Sequence, residues 1–168
     1  MMQQLMIFRH AKAVPWGSTP DDFSRSLQEI GIAHAQAVSD WVQDHIELPE
    51  MILCSPSQRT RETLQPLIES SDELESRTRF LPQIYGASVY TLVNVLDHAF
   101  AECDRVMVVG HNPGLEQILF ESISMSEGNK IKRLATGTLV VIELDPDWAE
   151  GQGRGRIAHQ IRGKKLLK

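Results

Sequence analysis

Leu5-Met6-Ile7-Phe8-Arg9-His10-Ala11 is an apolar run that ends on a guanidinium and an imidazole. The same arrangement returns later as Val106-Met107-Val108-Val109-Gly110-His111-Asn112, and a third run, Met51-Ile52-Leu53-Cys54, leads into Ser55-Pro56-Ser57-Gln58-Arg59. Short unbroken apolar runs of this kind read as strands covered on both faces, and the longer amphipathic stretches between them read as helices. Alternation of the two predicts a largely parallel sheet in an α/β domain. Ligands bind such sheets beyond the carboxyl ends of the strands, so Arg9, His10, Arg59 and His111 are expected to converge there.

Two imidazoles and two guanidinium forks suit a tetrahedral dianion whose phosphorus is attacked by one of the imidazoles. For His10 to attack, one ring nitrogen must be bare while the other is held by an acceptor such as a backbone carbonyl, which a turn just after a strand supplies. Arg9 and Arg59 would follow the charge on the equatorial oxygens into the transition state. His111, if cationic, adds charge, and it is also placed to orient the water that hydrolyses a phosphohistidine. Phosphoryl transfer through His10 is therefore the chemistry these residues predict.

The rest of the chain fits around this edge. Val14 to Asp22, with two prolines and a glycine, reads as a loop long enough to fold over a site, with Trp16 a candidate pocket residue. Leu27, Ile30, Ala33, Ala37, Val38, Trp41, Val42 and Ile46 recur at helical steps, predicting a buried face on a helix from about Ser26 to His45. A second helix should begin near Pro56 with Ser55 as its cap and Leu64, Leu67 and Ile68 inside. A short strand at Phe80-Leu81, a helix marked by Leu92, Val93, Val95, Leu96 and Phe100, and a helix opened by Pro113-Gly114 follow. Thr138–Leu144 and Arg156–Ile161 read as a hairpin around an Asp145-to-Gly155 turn, which adds an antiparallel element at the C-terminal end.

The 168 residues, 42% hydrophobic, suit one domain over 1–168. A net charge of -5 gives no basic footprint for nucleic acid or an anionic membrane, so any anion site must be local. The basic tail from Arg154 to Lys168 reads mainly as a final strand and a solvated end. The two cysteines, Cys54 and Cys103, form no disulfide scaffold or zinc motif, and Cys54 reads as a small buried thiol. Neither a secretory leader nor a membrane span is recognisable, so a cytoplasmic location is expected.

Arg9-His10-Ala11, Ser55-Pro56-Ser57-Gln58-Arg59-Thr60-Arg61-Glu62-Thr63 and Gly110-His111-Asn112-Pro113, in that order, resemble the histidine phosphatase superfamily. Lys12-Ala13 and Asp22-Phe23-Ser24-Arg25-Ser26-Leu27 are similar to its short, SixA-like phosphohistidine phosphatase branch. The resemblance implies a three-layer αβα sandwich of phosphoglycerate mutase-like fold. It also implies His10 as nucleophile, Arg9 and Arg59 as phosphate ligands, His111 as the second histidine of the phosphate pocket, and neither cofactor nor metal. Arg25, Asp21 and Asp22 are auxiliary candidates. Ala11 stands where the wider superfamily has glycine. Where larger relatives carry an acid to protonate the leaving oxygen, this chain has Leu81-Pro82-Gln83-Ile84-Tyr85-Gly86.

That departure bears on substrate. Without a general acid, an alkoxide leaves about 10²–10⁴ more slowly, whereas the nitrogen of a phosphoramidate is readily protonated and releases imidazole, of conjugate-acid pKa about 6.5, with little help. A phosphohistidine-containing protein, such as a phosphorelay or phosphotransfer carrier, is the expected partner. Small phosphate monoesters, with Asp21 or Asp22 as a substitute acid, are the alternative. A non-catalytic phosphate- or phosphoprotein-binding module is the alternative of a different class.

Overall fold

The computed structural model describes residues 2–148 and 155–167, so most of the expected Asp145-to-Gly155 turn lies outside the described residues. The apolar runs become β1 (Gln3–Arg9), β2 (Met51–Cys54) and β4 (Arg105–Gly110), with β3 (Thr78–Phe80), β5 (Thr138–Leu144) and β6 (Arg156–Arg162) completing the sheet. Between and after them lie α1 (Glu29–His45), α2 (Gln58–Glu69), α3 (Asp72–Ser76), α4 (Val89–Phe100), α5 (Gly114–Ser122) and α6 (Gly163–Leu166). The strand order is β3-β2-β4-β1-β5-β6. β1, β2, β3 and β4 pair in parallel, whereas β5 is antiparallel to both β1 and β6. This is the mostly parallel sheet with an antiparallel C-terminal element that the sequence predicts, in a phosphoglycerate mutase-like fold.

Alternation along the strands assigns each residue to a face. Leu5 and Ile7 of β1 join Leu92, Leu96, Leu115, Ile118 and Leu119 in one core. Met6 and Phe8 join Val38, Val42, Leu64 and Leu67 in the other. Helices α4 and α5 thus cover one side and α1 and α2 the other, and the central residues of β1, β2, β4 and β5 are buried and apolar on both.

Register brings the chemistry together. Arg9 pairs with Gly110, and Cys54 with Val109, so β2, β4 and β1 end side by side. The ladders run one step further, with His10 N donating to Gly110 O at 3.2 Å and Ser55 N to Val109 O at 3.0 Å. His10, His111 and Ser55 therefore leave three adjacent strands at one level.

Helix α1 begins at Glu29 rather than Ser26, and its buried face is Gly31, His34, Ala35, Val38, Ser39 and Val42. Ile30, expected inside, is 46% exposed. Backbone contact sets this rotation: a Cβ at Gly31 would lie 2.2 Å from the Lys12 carbonyl oxygen, which accepts from Gln28 N at 2.9 Å. The close approach clamps the segment after His10 against α1. Gly31→Ala is expected to lower unfolding free energy by about 1–3 kcal/mol, since backbone rather than a flexible side chain must yield. Urea denaturation measures it, and an unchanged midpoint would show that the clamp is dispensable.

Candidate active site

His10 follows β1 directly and is 7% exposed. Its Nδ1 lies 2.8 Å from the Ala11 carbonyl oxygen, which can only accept, so Nδ1 carries the proton and Nε2 is left bare. The turn that performs this is held by Ala11 N donating to Thr63 Oγ1 at 2.9 Å and Gly137 N donating to His10 O at 2.9 Å. Burial first, opposed by the Ala11 hydrogen bond, and then the charges of Arg59, His111 and Arg9 push the His10 pKa down to about 3. A neutral imidazole with one free nitrogen is a nucleophile at neutral pH.

His111 stands 5.5 Å from His10 between ring centroids and meets the Tyr85 ring edge-on at 5.4 Å. Its Nε2 is 2.8 Å from Ser55 Oγ. Ser55 Oγ also receives Ser57 N at 3.5 Å, and with its hydroxyl proton assigned to His111 Nε2, the ring proton sits on Nδ1. The hydroxyl expected to cap α2 is thus spent on the histidine, and Ser57 is the residue preceding the helix. Burial, then the Arg59 charge, lowers the His111 pKa to about 4, so its imidazole is neutral in the free protein rather than cationic.

Arg59 lies in the first turn of α2 and is 5% exposed. Its Nη1 donates to the Asp22 carbonyl at 2.8 Å and its Nη2 to Asp22 Oδ2 at 3.0 Å. Arg9 Nη1 donates to Leu134 O at 3.0 Å, and burial pulls its pKa below the ordinary value while Glu116 opposes the shift. Arg9 Nε, Arg59 Nε and His111 Nδ1 are buried without a protein partner. On this assignment all three are donors, which is the polarity an oxyanion satisfies.

The auxiliary candidates separate. Asp21 is exposed and serves its own turn, its Oδ1 accepting from Ser24 N at 2.8 Å. Asp22 is drawn inward: Tyr85 Oη donates to its Oδ2 at 2.5 Å, and Arg25 Nε to its Oδ1 at 2.9 Å. The Tyr85 hydrogen bond first, against some burial, and then Arg59 and Arg25 lower the Asp22 pKa to about 2. A carboxyl held ionised in this way has no proton to give near neutrality, so Asp22 does not fit the substitute acid, and Asp21 is engaged in its own exposed turn. Glu116 is likewise an acceptor, receiving Leu134 N at 2.7 Å. Trp16 points elsewhere, 81% exposed. Cys54 is fully buried and its thiol pKa is raised to about 12 by burial, which makes it inert.

Tyr85, Ser55 Oγ and Thr63 are the participants that sequence reasoning missed. Each acts through a partner far along the chain. Ser55 and Thr63 bound the motif that carries Arg59, and Tyr85 stands two residues after Gln83, but nothing local assigns their partners.

His10 and His111 are both depressed below the ordinary histidine value near 6.5, so the unfolded chain takes up protons first as pH falls. Stability present above pH 6.5 is therefore expected to erode between there and about pH 3, with Asp22 adding to the loss below pH 4 as it approaches its own pKa of about 2. NMR titration of the imidazole Cε1–H resonances should find both histidines neutral at pH 5.5. A midpoint near 6.5 for His10 would contradict the buried, cation-flanked geometry.

No family model matches the chain. An uncharacterised chloroplastic protein of Arabidopsis thaliana is 28% identical over 156 residues, covering 88% of this chain and 70% of the relative. Among solved structures, a chain designated phosphohistidine phosphatase SixA from Nakamurella multipartitia superposes with a TM-score of 0.82 at 25% identity, covering 96% of both chains. Another so designated, from Agrobacterium tumefaciens, superposes with a TM-score of 0.80 at 27% identity, covering 95% of this chain and 97% of that one. Among the described residues no helix is long and apolar enough to cross a membrane.

Proposed function

We propose that this chain, which has the histidine phosphatase superfamily fold in its SixA-like form, removes phosphate from phosphohistidine on a partner protein through a phosphorylated His10. His10 Nε2 attacks phosphorus in line, the P–N bond to the substrate imidazole breaks with its electron pair going to that nitrogen, and the substrate histidine, whose other ring nitrogen already carries a proton, leaves as a neutral imidazole. Arg9, Arg59 and His111 Nδ1–H bind the phosphoryl oxygens. Water then attacks the phosphorus on His10 and inorganic phosphate departs, returning the imidazole to its bare state. The Ala11 carbonyl orients the ring throughout, and the positive charge of the cycle comes from side chains rather than a metal.

The observation that carries this reading is the state of Asp22. A site with a bare nucleophile and converging cations, whose nearby carboxylates are held as acceptors, suits a leaving group that needs no acid. The nitrogen of phosphohistidine meets that condition and the alkoxide of a monoester does not. With EDTA present, phosphate release from a histidine-phosphorylated carrier protein is expected to exceed release from a phosphoserine peptide, whose leaving group is an alkoxide, by about 10²-fold or more in kcat/KM. The reverse preference would overturn the assignment in favour of a monoesterase, and phosphate binding with no release from either would indicate a binding module.

A further inference from the structure

Beside the site lies a second concavity of about 590 Å³, which includes Lys12, Arg25, His34, Arg162 and Lys164 in its wall. It starts where the site ends. Lys12 follows Ala11, Arg25 is the ion-pair partner of Asp22, and Thr136, also in the wall, precedes the Gly137 whose amide holds the His10 carbonyl. The fold brings its cations together by a second close approach. A Cβ at Gly163 would lie 2.6 Å from the His34 carbonyl, and Gly163 N donates to Gly137 O at 3.0 Å, which lays α6 across α1.

The result is a local reversal of the chain's charge of -5. Among the described residues Lys12, Arg162 and Lys164 have no carboxylate within 4.0 Å, although they are close enough together to lower the His34 pKa in concert, second to burial. Arg162 Nε is buried with no protein partner. Part of the lining is apolar: Ile30 and Leu167, 46% and 40% exposed, share the concavity with these cations. Exposed apolar side chains beside cations fit an acidic polypeptide better than a small anion, which offers nothing to Ile30 and Leu167.

We propose that this concavity docks an acidic segment of the phosphohistidine-bearing protein, with carboxylates on Lys12, Arg162 and Lys164 and an apolar side chain on Ile30 and Leu167, while the phosphohistidine enters at His10. The proposal rests on the functional reading above and supplies what that reading lacks, a basis for choosing among phosphohistidine proteins.

The test uses one peptide with a phosphohistidine flanked on both sides by glutamates and a leucine, and a second with glutamines for the glutamates. Lys12→Glu/Lys164→Glu, which alters two exposed side chains, is expected to reduce kcat/KM on the acidic peptide about 10-fold through KM. Turnover of the glutamine peptide and of phosphoimidazole should be unchanged, and the wild-type preference for the acidic peptide should shrink with added salt. Equal loss on all three substrates, or no loss on the acidic peptide, would overturn the proposal. Dissociation constants in a His10→Ala background keep the two readings apart. If the wild type hydrolyses no phosphohistidine, the functional reading fails, and docking still stands or falls on whether the lysine reversals weaken binding of the acidic peptide about 10-fold.

Discussion

His10→Ala is expected to reduce phosphate release from a histidine-phosphorylated protein by about 10⁴-fold or more, the scale seen when a covalent nucleophile is removed. The side chain is buried, neutral and bonded only to its neighbour's carbonyl, so the variant keeps its fold; its melting temperature serves as the control. Substrate affinity should largely survive, because Arg9, Arg59 and His111 remain. Loss of turnover with retained binding of a phosphohistidine peptide separates a nucleophile from a ligand. Were binding to collapse and the residual rate to stay near wild type at saturating substrate, His10 would be a phosphate ligand and another group would attack.

Arg59→Lys should cost about 10²–10³ in kcat/KM, because an ammonium cannot present the planar pair of donors that follows a phosphoryl group into its transition state. The substitution preserves the charge, so a merely long-range electrostatic role would leave the rate almost unaltered. The same guanidinium holds Asp22 by two hydrogen bonds, and its loss frees that carboxylate from one of its three partners. The Asp22 pKa is accordingly expected to rise in Arg59→Lys, toward the ordinary carboxylate range and in the direction of an acid. A gain in phosphoserine hydrolysis relative to phosphohistidine would be the kinetic trace of that change, and steady-state comparison of the two substrates measures both effects at once.

The parts of this molecule that were legible in its sequence are those governed by local pattern. Unbroken apolar runs identified β1, β2 and β4, and residues at their carboxyl ends must gather because parallel strands in register end together. His10, His111 and Arg9 were found on that logic. Arg59 came from the helix signal after β2. What escaped depends on contacts that pattern does not encode. The face of α1 is turned by Gly31 lying against the Lys12 carbonyl, a packing of backbone on backbone to which hydrophobic periodicity is blind. Asp22 looked like a spare acid because its partners lie 37 and 63 residues away, at Arg59 and Tyr85. Ser55 looked like a helix cap because its partner His111 is 56 residues distant. The basic tail is the final strand and exposed end that the sequence predicts, and pattern is silent only on the surface that Arg162 and Lys164 share with Lys12 once α6 crosses α1.

Asp22 and Ser55 are polar side chains whose roles are decided by where the fold carries them, and neither changes the identity of the nucleophile. The ionised Asp22 disfavours alkoxide leaving groups, and the cationic concavity favours acidic partners.

The covalent intermediate is the central claim, and rapid-quench labelling tests it most directly. Protein mixed with a carrier bearing radiolabelled phosphohistidine and quenched in alkali, where phosphohistidine survives, should carry label on His10 before free phosphate accumulates. The label should be lost in acid and absent from His10→Ala. Phosphate released at the full rate with no label on His10 at any time would mean that water attacks the substrate directly, and would contradict the account.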